Sequence, residues 1–440
     1  MPPLNPTPTQ TTPNYKWWVV FMLWFVCFFN YADRQAISSV FPKLKEEFGF
    51  NSVQLGLIGS AFAWVYAAGA PFAGFIADRV SRKFLILGGC LFWSAITVTT
   101  GGCSRLWHFV TVRALEGLGE TFYFPATMSL VSDYHDHRTR SRAFSLHQSS
   151  VYAGTILGSW LGAWFAEKQG WRTAFYLFGG LGMVLALMLW RFLAEPSRGA
   201  ADRAWAATQG VRLPETLPAL QVSDVVREIL GKPTAILLMI AFLGANFVAT
   251  IFLAWTPSFL IEKFHFKLTS AGLSGSVFIH LASAVSVPIG GLLADYFARR
   301  FAGGRILVQA IGLLVGATFV GFVGLTQDVT TLLVAMTLFG LCKGLYDANI
   351  FASLYDVIAP RSRATAAGIM NTVGWGGGAL GPLAVGYVTQ YGRHKNEIDN
   401  MSEAIAFGSI IYLVGAVLLL VAAFGFARRD MARTSLIAGA

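Results

Sequence analysis

Two stretches of this chain, Gly74-Phe75-Ile76-Ala77-Asp78-Arg79-Val80-Ser81-Arg82-Lys83 and Gly291-Leu292-Leu293-Ala294-Asp295-Tyr296-Phe297-Ala298-Arg299-Arg300, carry the same pattern. The glycine, the aspartate and the two closing basic residues of the first stretch recur 217 residues later in the second. Each copy falls where one long apolar segment ends and the next begins. A chain that repeats a membrane-spanning unit is typical of a transporter with a path between two related bundles of helices.

The composition of the 440 residues is that of a membrane protein, with 55% hydrophobic and only 13% charged residues and a mean hydropathy of +0.57. Water-soluble domains carry about 25% charged residues. Apolar segments of about 20 residues predict membrane-spanning helices, which satisfy every backbone polar group inside lipid. We predict an all-α membrane protein with twelve spans in two six-helix bundles. The predicted spans are 17–38, 52–77, 83–103, 106–133, 140–166, 171–194, 234–261, 269–296, 304–325, 329–356, 363–390 and 403–427.

A single long polar stretch, residues 195–233, divides the chain into halves and contains a candidate surface helix at Asp224–Leu230. The opening residues are uncharged and rich in Pro and Thr, without the basic start and cleavage site of a signal peptide, so we expect the first span to stay in the mature protein. The predicted organisation is a disordered cytoplasmic tail (1–16), an N-terminal bundle (17–194), a cytoplasmic linker (195–233), a C-terminal bundle (234–427) and a cytoplasmic tail (428–440). The four cysteines, which lack a CxxC pairing, are interpreted as small apolar side chains.

The net charge of +10 is distributed as a membrane topology signal. Of the 33 Lys and Arg residues, 20 fall on the side of the two termini, 9 on the other side and 4 within the spans. The positive-inside rule therefore predicts a multi-pass protein of the cell (inner) membrane with both termini in the cytoplasm. This distribution argues against nucleic acid as a partner.

Ionisable residues inside the predicted spans each cost about 2.5–3.5 kcal/mol on insertion scales, and they are most concentrated in the first and fourth spans. The first span carries Asn30-Tyr31-Ala32-Asp33-Arg34, and the fourth carries Arg113, Glu116 and Glu120. At 100° per residue, Arg113 and Glu120 lie within about 20° of each other on one helical face, with Glu116 about 60° away. The two spans run in opposite directions, so these groups are predicted to share a depth in the membrane.

This combination of cations and acids suits anion binding coupled to proton movement. Arginine forks bind a carboxylate or phosphate through two hydrogen bonds, and a buried carboxylate can take up and release a proton. An arriving anion competes with the acid for the arginine, so protonation and anion binding favour each other. The alternative interpretation is a set of static ion pairs that hold the first and fourth helices together.

The loop pattern, its second copy, the twelve spans and the central linker resemble the major facilitator superfamily. Within it, Asn-Tyr-x-Asp-Arg on the first helix, Tyr66 on the second, and Arg113 with Glu120 on the fourth resemble the anion:cation symporters, which are proton-coupled carriers of sugar acids. The resemblance implies that Asp33 and Glu120 exchange protons. It also implies that the substrate is bound by Tyr31, Arg34, Tyr66, Arg113, Gln148 and the matching polar residue Asn371.

In the superfamily the repeated loop is expected to act as a cytoplasmic latch. Asp78 could cap the next helix or pair with Arg82, and Asp133 at the end of the fourth helix is a further candidate partner. The alternative is that these charges only set topology. The residues assigned to the latch are Gly74, Asp78, Arg79, Arg82, Lys83, Asp133, Gly291, Asp295 and Arg299.

Further polar residues are candidates for a substrate or gating role: Glu116, Lys343, Asp347 and Trp375. Lys343 and Asp347 form an i,i+4 pair that could simply neutralise itself. Asn246 and His280 are interpreted as hydrogen-bonding residues in helix packing. His135, His137 and His147 are interpreted as a solvated cluster without a metal.

We therefore predict a proton-coupled symporter that imports an organic anion, most specifically a sugar acid of the hexonate or hexuronate type. No Walker, HExxH or nucleophile-elbow pattern is present in the sequence, so we expect neither an enzyme nor a nucleotide-binding protein, and no cofactor beyond the coupling proton. The expected partners are the small anion and the lipid bilayer, with the monomer as the functional unit. Alternatives are an organophosphate/phosphate exchanger of the same fold and a transporter-like anion sensor, with a membrane enzyme least favoured.

Overall fold

The computed structural model describes residues 14–77, 79–135, 139–198, 200–208, 222–359 and 362–438. Within these ranges the chain forms helices α1–α18 and one π-helical turn, Ala422–Phe426. The helices are α1 Tyr15–Ser39, α2 Phe41–Phe48, α3 Ser52–Ala77, α4 Arg82–Thr100, α5 Leu106–Thr121, α6 Tyr123–Tyr134, α7 Arg140–Lys168, α8 Arg172–Phe192, α9 Ala200–Thr208, α10 Val222–Leu230, α11 Pro233–Phe264, α12 Leu268–Ala298, α13 Gly304–Leu325, α14 Val329–Asp347, α15 Ile350–Val357, α16 Arg363–Tyr391, α17 Glu397–Val421 and α18 Ala427–Ala438.

The predicted all-α membrane fold is confirmed, since each of the twelve predicted spans coincides with a long helix or a pair of helices. Among the described residues, eight helical segments are long and apolar enough to cross a membrane by length and composition alone. The other four, α1, the α5–α6 pair, α7 and α16, carry many of the polar side chains of the site described below. Polarity in these four helices thus reflects the site that they line.

The fourth and tenth spans, predicted as continuous helices, are each interrupted. The break between α5 and α6 falls at Phe122, because Pro125 has no N–H to donate to the carbonyl of Thr121. The break between α14 and α15 falls beside Asn349, whose side-chain amide donates to the carbonyls of Gly290 (3.2 Å) and Leu345 (3.3 Å). Such local hydrogen bonds compete with the regular helix.

The linker and the last span also differ from the prediction in detail. The candidate surface helix at Asp224–Leu230 is present as α10, whereas α2, α9 and α18 were not predicted. Helix α17 begins at Glu397 rather than at residue 403, because the Asn396 side chain accepts a hydrogen bond from the backbone N–H of Ile398 (3.1 Å) and caps the helix.

The long helices alternate in direction, so the bundle has two faces. The terminal face is defined here as the face where α1 begins and α6 and α8 end. There the Tyr15 hydroxyl donates to the carbonyl of Phe192 (2.6 Å) and the Tyr134 hydroxyl donates to the carbonyl of Ala194 (2.9 Å). The opposite face carries α2 and the start of α3.

Polar contacts that join the two halves are concentrated toward the opposite face. Helix α3 packs there on α16 so closely that a Cβ at Gly56 would lie 2.5 Å from the Pro382 carbonyl oxygen. Lys45 of α2 reaches the carboxylates of Glu397 (3.1 Å) and Glu262 (3.5 Å) in the other half. The two halves therefore meet tightly on this face, which closes the space between them from that side.

Candidate functional site

A cavity of about 230 Å³ lies between the two halves, lined by residues of α1, α3, α5 and α7 on one wall and of α11, α12, α14 and α16 on the other. Its lining is mostly apolar, with a few polar and charged side chains. Helices from both halves thus build one cavity. The charged and hydrogen-bonding side chains that line it are Tyr31, Arg34, Gln35, Ser38, Arg113, Gln148, Tyr152, Thr155, Asn246, Thr250, His280, Lys343, Asp347 and Trp375.

The charges in and behind the cavity are sorted by sign. Three cations, Arg34, Arg113 and Lys343, line the cavity, together with one acid, Asp347. The three other acids, Asp33, Glu116 and Glu120, are buried behind the arginines. On the wall of the first half, an anion that enters the cavity therefore meets the two arginines before the three acids.

The three buried acids form one cluster. Each of Asp33, Glu116 and Glu120 contributes a carboxylate oxygen, and these oxygens lie within 4.8 Å of one another. Thr97 of α4 donates to Asp33 (3.1 Å) and lies 3.5 Å from an oxygen of Glu116. Like charges at this spacing repel strongly in a low-dielectric interior, so a proton on any one of them relieves the others.

Each of the two arginines is paired with one member of the acid cluster. Arg34 forms an ion pair with Glu120, in which its Nε lies 3.0 Å from Oε2. Arg113 forms an ion pair with Glu116 on the next turn of α5. The side-chain atoms Nη1 of Arg34, Nε of Arg113 and Oε1 of Glu120 are buried without a hydrogen-bond partner. Nη1 of Arg34 and Nε of Arg113 are thus unused donors of two arginines that line the cavity, and Oε1 of Glu120 is an unused acceptor.

The pairing refines what the helical spacing predicted. Arg113 and Glu120 share a face of α5, yet Glu120 pairs with Arg34 of α1, and Arg113 pairs with Glu116. Glu116, predicted only as a candidate for a substrate or gating role, is therefore a full member of the acid cluster. The same three carboxylates have the spacing of cation ligands, but the two guanidinium groups already neutralise two of them.

Aromatic rings surround the two guanidinium groups. The ring of Phe62 lies 4.3 Å from the Arg34 guanidinium carbon and 5.0 Å from that of Arg113. Tyr31, Tyr66 and Trp375 stand at 4.6, 5.6 and 5.3 Å from the guanidinium carbon of Arg34. Cation–π contacts of this kind hold an arginine in place while leaving its hydrogen-bond donors available.

The predicted substrate contacts are brought together only in part. Tyr31, Arg34, Arg113 and Gln148 line the cavity. Tyr66 packs against Trp375, with ring centroids 5.0 Å apart, so it supports the wall and does not line it. Asn371, on α16 one turn before Trp375, is likewise not among the lining residues. The roles of all these residues in binding stay predictions.

The wall from the second half carries Lys343, Asp347, Asn246 and His280. Lys343 and Asp347 form an ion pair within α14, and both line the cavity. Asn246 donates to the carbonyl of Phe242 (3.0 Å), and His280 Nδ1 lies 2.9 Å from the carbonyl of Ser276. Both hydrogen bonds lie within a single helix and join no two helices, so they do not test the predicted role in helix packing, and both residues also face the cavity.

Several residues of the site gave no signal in the sequence. Thr97 is one of three threonines near the end of an apolar helix, and Phe62 is one of 36 phenylalanines. Gln35 lines the cavity and donates to the carbonyl of Leu253 (2.7 Å) across the two halves. Only Gln35 could have been found from sequence, because it directly follows the charged pair on the first span.

The first loop repeat lies on the terminal face and is anchored by a buried arginine. Arg82 forms ion pairs with Asp133 and with Glu195, where its Nε lies 3.2 Å from Oε1. Its side chain is 1% exposed. The predicted pairing of Arg82 with Asp133 is therefore present. Asp78 lies outside the described residues, and the N-cap of α4 is Ser81, which accepts from the N–H of Phe84 (3.2 Å). Of the three histidines predicted to form a solvated cluster, His137 is also outside the described residues, whereas His135 and His147 are buried, so the prediction is wrong for these two.

The second loop repeat differs from the prediction. Position for position, Arg299 matches Arg82, but the arginine that pairs with Asp295 (2.9 Å) is Arg305. Arg305 also lies 3.5 Å from Asp356 at the end of α15, as Arg82 pairs with Asp133 at the end of α6. The loop between α12 and α13 is long enough to place Arg305, and not Arg299, at the start of the following helix.

Taken together, the paired helical halves and the charged cavity between them define a multi-pass membrane transporter. The model of the Major Facilitator Superfamily matches residues 23–282 and 279–437, so almost the whole chain is covered. The chain belongs to the Major Facilitator Superfamily. It is a transporter and not an enzyme.

Curated relatives span most of the chain. The chain is 30% identical over 413 residues to an ascorbate transporter of Arabidopsis thaliana chloroplasts, which covers 91% of this chain and 73% of that protein. It is 29% identical over 411 residues to the chloroplastic sodium-dependent phosphate transport protein 1 of the same plant, covering 92% and 78%. It is 25% identical over 401 residues to a probable galactarate/D-glucarate transporter, GudP, of Escherichia coli, covering 85% and 87%. These relatives agree with the resemblance to the anion:cation symporters.

A solved structure with the same fold is a bacterial homolog of the human lysosomal transporter Spinster, in an inward-facing and unoccupied conformation. It superposes with a TM-score of 0.74 and 22% identity, covering 99% of both chains. At this identity the likeness shows the fold alone.

Proposed function

We propose that this protein is a proton-coupled symporter that imports an organic anion, a sugar acid, by alternating access. The observation that carries the proposal is the sorting of charge at the cavity, with Arg34 and Arg113 at its surface and Asp33, Glu116 and Glu120 behind them. The names of the relatives support an anion as the solute, since they describe carriers of phosphate, ascorbate and galactarate or D-glucarate.

The charge balance favours coupling to protons. If all three acids are ionised, the two arginines leave the cluster with one net negative charge, which repels an entering anion. One proton makes the cluster neutral, and a second makes it positive by one charge. Proton uptake by the cluster and anion binding to the arginines therefore stabilise each other, which is the linkage that a symporter needs.

The hydrogen-bond pairing gives this linkage an atomic route. Glu120 and an anionic solute compete for the same guanidinium group of Arg34. When Glu120 takes up a proton, its ion pair with Arg34 weakens, and the guanidinium donors of Arg34 become available to the solute. When the proton leaves, Glu120 reclaims Arg34 and the solute is released.

Alternating access then consists of rocking residues 15–194 against residues 234–428 about this cavity. We assign the terminal face to the cytoplasm from the charge distribution, and place the protein in the cell (inner) membrane as a functional monomer. Under that assignment the contacts of Lys45 and Gly56 close the outer side. The present arrangement corresponds to the state that releases its solute to the cytoplasm.

The test is uptake into proteoliposomes that contain the purified protein. A panel of sugar acids is offered under four conditions: an imposed inward proton gradient, an imposed inward sodium gradient, no gradient, and counterflow against internal phosphate. We expect accumulation of at least one sugar acid that requires the proton gradient. Sodium-driven uptake, or phosphate counterflow insensitive to pH, would instead favour the phosphate carriers among the relatives. Ligand binding without flux under any condition would favour an anion sensor.

A further inference from the structure

The cation on the second wall of the cavity has no role in the proton coupling proposed above. Lys343 and Asp347 sit one turn apart on α14 and pair only with each other among the ion pairs of the described residues. Their side chains are 19% and 27% exposed, whereas Glu120 and Arg113 are almost completely buried. The pair is thus accessible from the cavity.

A structural role does not account for this pair. Both residues belong to one helix, so their ion pair ties no two helices together. An i,i+4 pair stabilises a helix by about 0.2–0.5 kcal/mol, which is much less than the insertion cost of a lysine and an aspartate in the membrane. A charged pair placed where it faces a binding cavity is better explained by a ligand.

The position of Tyr31 connects the two walls. Its ring lies 4.6 Å from the guanidinium carbon of Arg34, and Tyr31 lines the same cavity as Lys343. Tyr152 of α7 also lines this cavity and packs beside His280, with ring centroids 6.4 Å apart. The arginines, Lys343 and the neutral polar groups of Tyr31 and Tyr152 therefore line one cavity, so a single solute in it has cations on both walls.

We infer that Lys343 is a second anion subsite, and that the solute is a diacid with one acidic group on Arg34 and Arg113 and the other on Lys343. Asp347 forms the ion pair with Lys343 when the cavity is empty. The second acidic group of the solute replaces Asp347 in this ion pair when it binds. This inference rests on the proposed function and departs from the hexonate or hexuronate predicted from the sequence. A diacid bridges both halves, so it can draw them together when the loaded cavity closes.

The test compares D-gluconate with D-glucarate, two six-carbon acids that differ only in the alcohol or carboxylate at C6. Binding of each to the purified full-length protein is measured by calorimetry. We expect the wild type to bind D-glucarate about tenfold or more tightly than D-gluconate, as a charge-assisted contact would give. In Lys343→Gln this preference should fall to less than about twofold, and Lys343→Arg should retain most of it.

Two further variants separate recognition from folding. Lys343→Gln/Asp347→Asn leaves no unpaired charge on α14, and it should show the same loss of preference as Lys343→Gln. Lys168→Gln makes the same chemical change at an exposed site on the opposite face and should keep the wild-type preference.

The outcomes are distinguishable. The diacid inference is overturned if the wild-type protein binds D-gluconate as tightly as D-glucarate. It is also overturned if Lys343→Gln lowers the affinity for both acids by the same factor. In either case the proposed transport of a sugar acid is unaffected. If neither sugar acid nor any other of the panel binds or is transported, the proposed function fails and this inference fails with it.

Discussion

The N-terminal and C-terminal bundles share a plan of six spans but hold their buried charge in different ways. The first encloses two arginines and three acids, contributed by two helices and joined by ion pairs within and between them. The second presents one lysine and one aspartate from a single helix. A charge cluster spread over two helices can change its proton count and its helix contacts together, whereas a pair on one helix cannot. We therefore expect the first bundle to carry the coupling and the second to select the solute.

The same difference appears on the terminal face. Arg82 in the first bundle is buried and joins the start of α4, the end of α6 and the residues after α8. Its counterpart Arg305 is 30% exposed, and its partners Asp295 and Asp356 are more exposed still. The loop repeat that looks symmetric in sequence thus anchors one bundle more firmly than the other.

The largest effect that we expect from this difference between the bundles is the loss of transport when an arginine is removed from the first bundle. Arg113→Ala should reduce initial uptake by proteoliposomes about a hundredfold or more, because it removes a solute donor and leaves Glu116 buried without its cation. Arg113→Lys keeps the charge but not the fork and should retain a small part of the rate. Arg172→Ala removes an exposed arginine of the opposite face and serves as the control. Wild-type uptake by Arg113→Ala would contradict the assignment of the solute to this wall.

A second variant separates coupling from binding within the first bundle. Glu120→Gln keeps the size of the side chain and an acceptor for Arg34, but it cannot gain or lose a proton. We expect it to lose accumulation driven by a proton gradient while it retains solute counterflow within about tenfold of the wild-type rate. Glu47→Gln, at an ion pair of the opposite face, is the matched control. Proton-driven accumulation that survives in Glu120→Gln would reject the coupling role.

The terminal-face contrast predicts unequal losses of stability. Arg82→Gln breaks a buried network, at a cost of about 3–5 kcal/mol. Arg305→Gln breaks a half-exposed one, which should cost less than about 1 kcal/mol. The measurement is the unfolding temperature of each variant in the same detergent. Equal shifts in the two variants would show that burial does not distinguish the two repeats.

This network also predicts the direction of a pH effect. Partial burial acts to raise the pKa of Glu195, but hydrogen bonds from Ser81 and Arg82 lower it overall. A lowered pKa in the folded state means that the stabilising contribution of Glu195 is present above its ordinary pKa and is lost on acidification through the lowered one. Glu195→Gln should therefore reduce the wild-type loss of stability below about pH 4.5.

The fold was predictable because long apolar segments have few alternatives in lipid, and the loop repeat marked the two halves. The first bundle was also predictable in outline, since charges such as Asp33 and Arg113 stand out inside apolar helices. The pairing was not, because helical spacing relates Arg113 to Glu120 within one helix and says nothing of Arg34 on another. Phe62 and Thr97 could not be predicted, because their importance comes only from what the tertiary packing sets beside them.

The smallest effect is expected at the contact between the bundles on the opposite face. Burial acts to lower the pKa of Lys45, but Glu262 and then Glu397 raise it above its ordinary value. Because the raised pKa lies above 10.5, Lys45 stays charged below that pH, and its own charge is lost as the pH rises through the raised pKa. Lys45→Gln should therefore favour opening of this face by less than about 1 kcal/mol, or up to about fivefold in population. The reporter is a Ser38→Cys side chain in the cavity, labelled from the opposite face by a membrane-impermeant thiol reagent.

Because Lys45 does not titrate between pH 5 and 9, Lys45→Gln should keep the pH profile of wild-type uptake while Glu120→Gln flattens it. A pH profile that changed in Lys45→Gln and not in Glu120→Gln would move the proton coupling from the first bundle to the contact between the two.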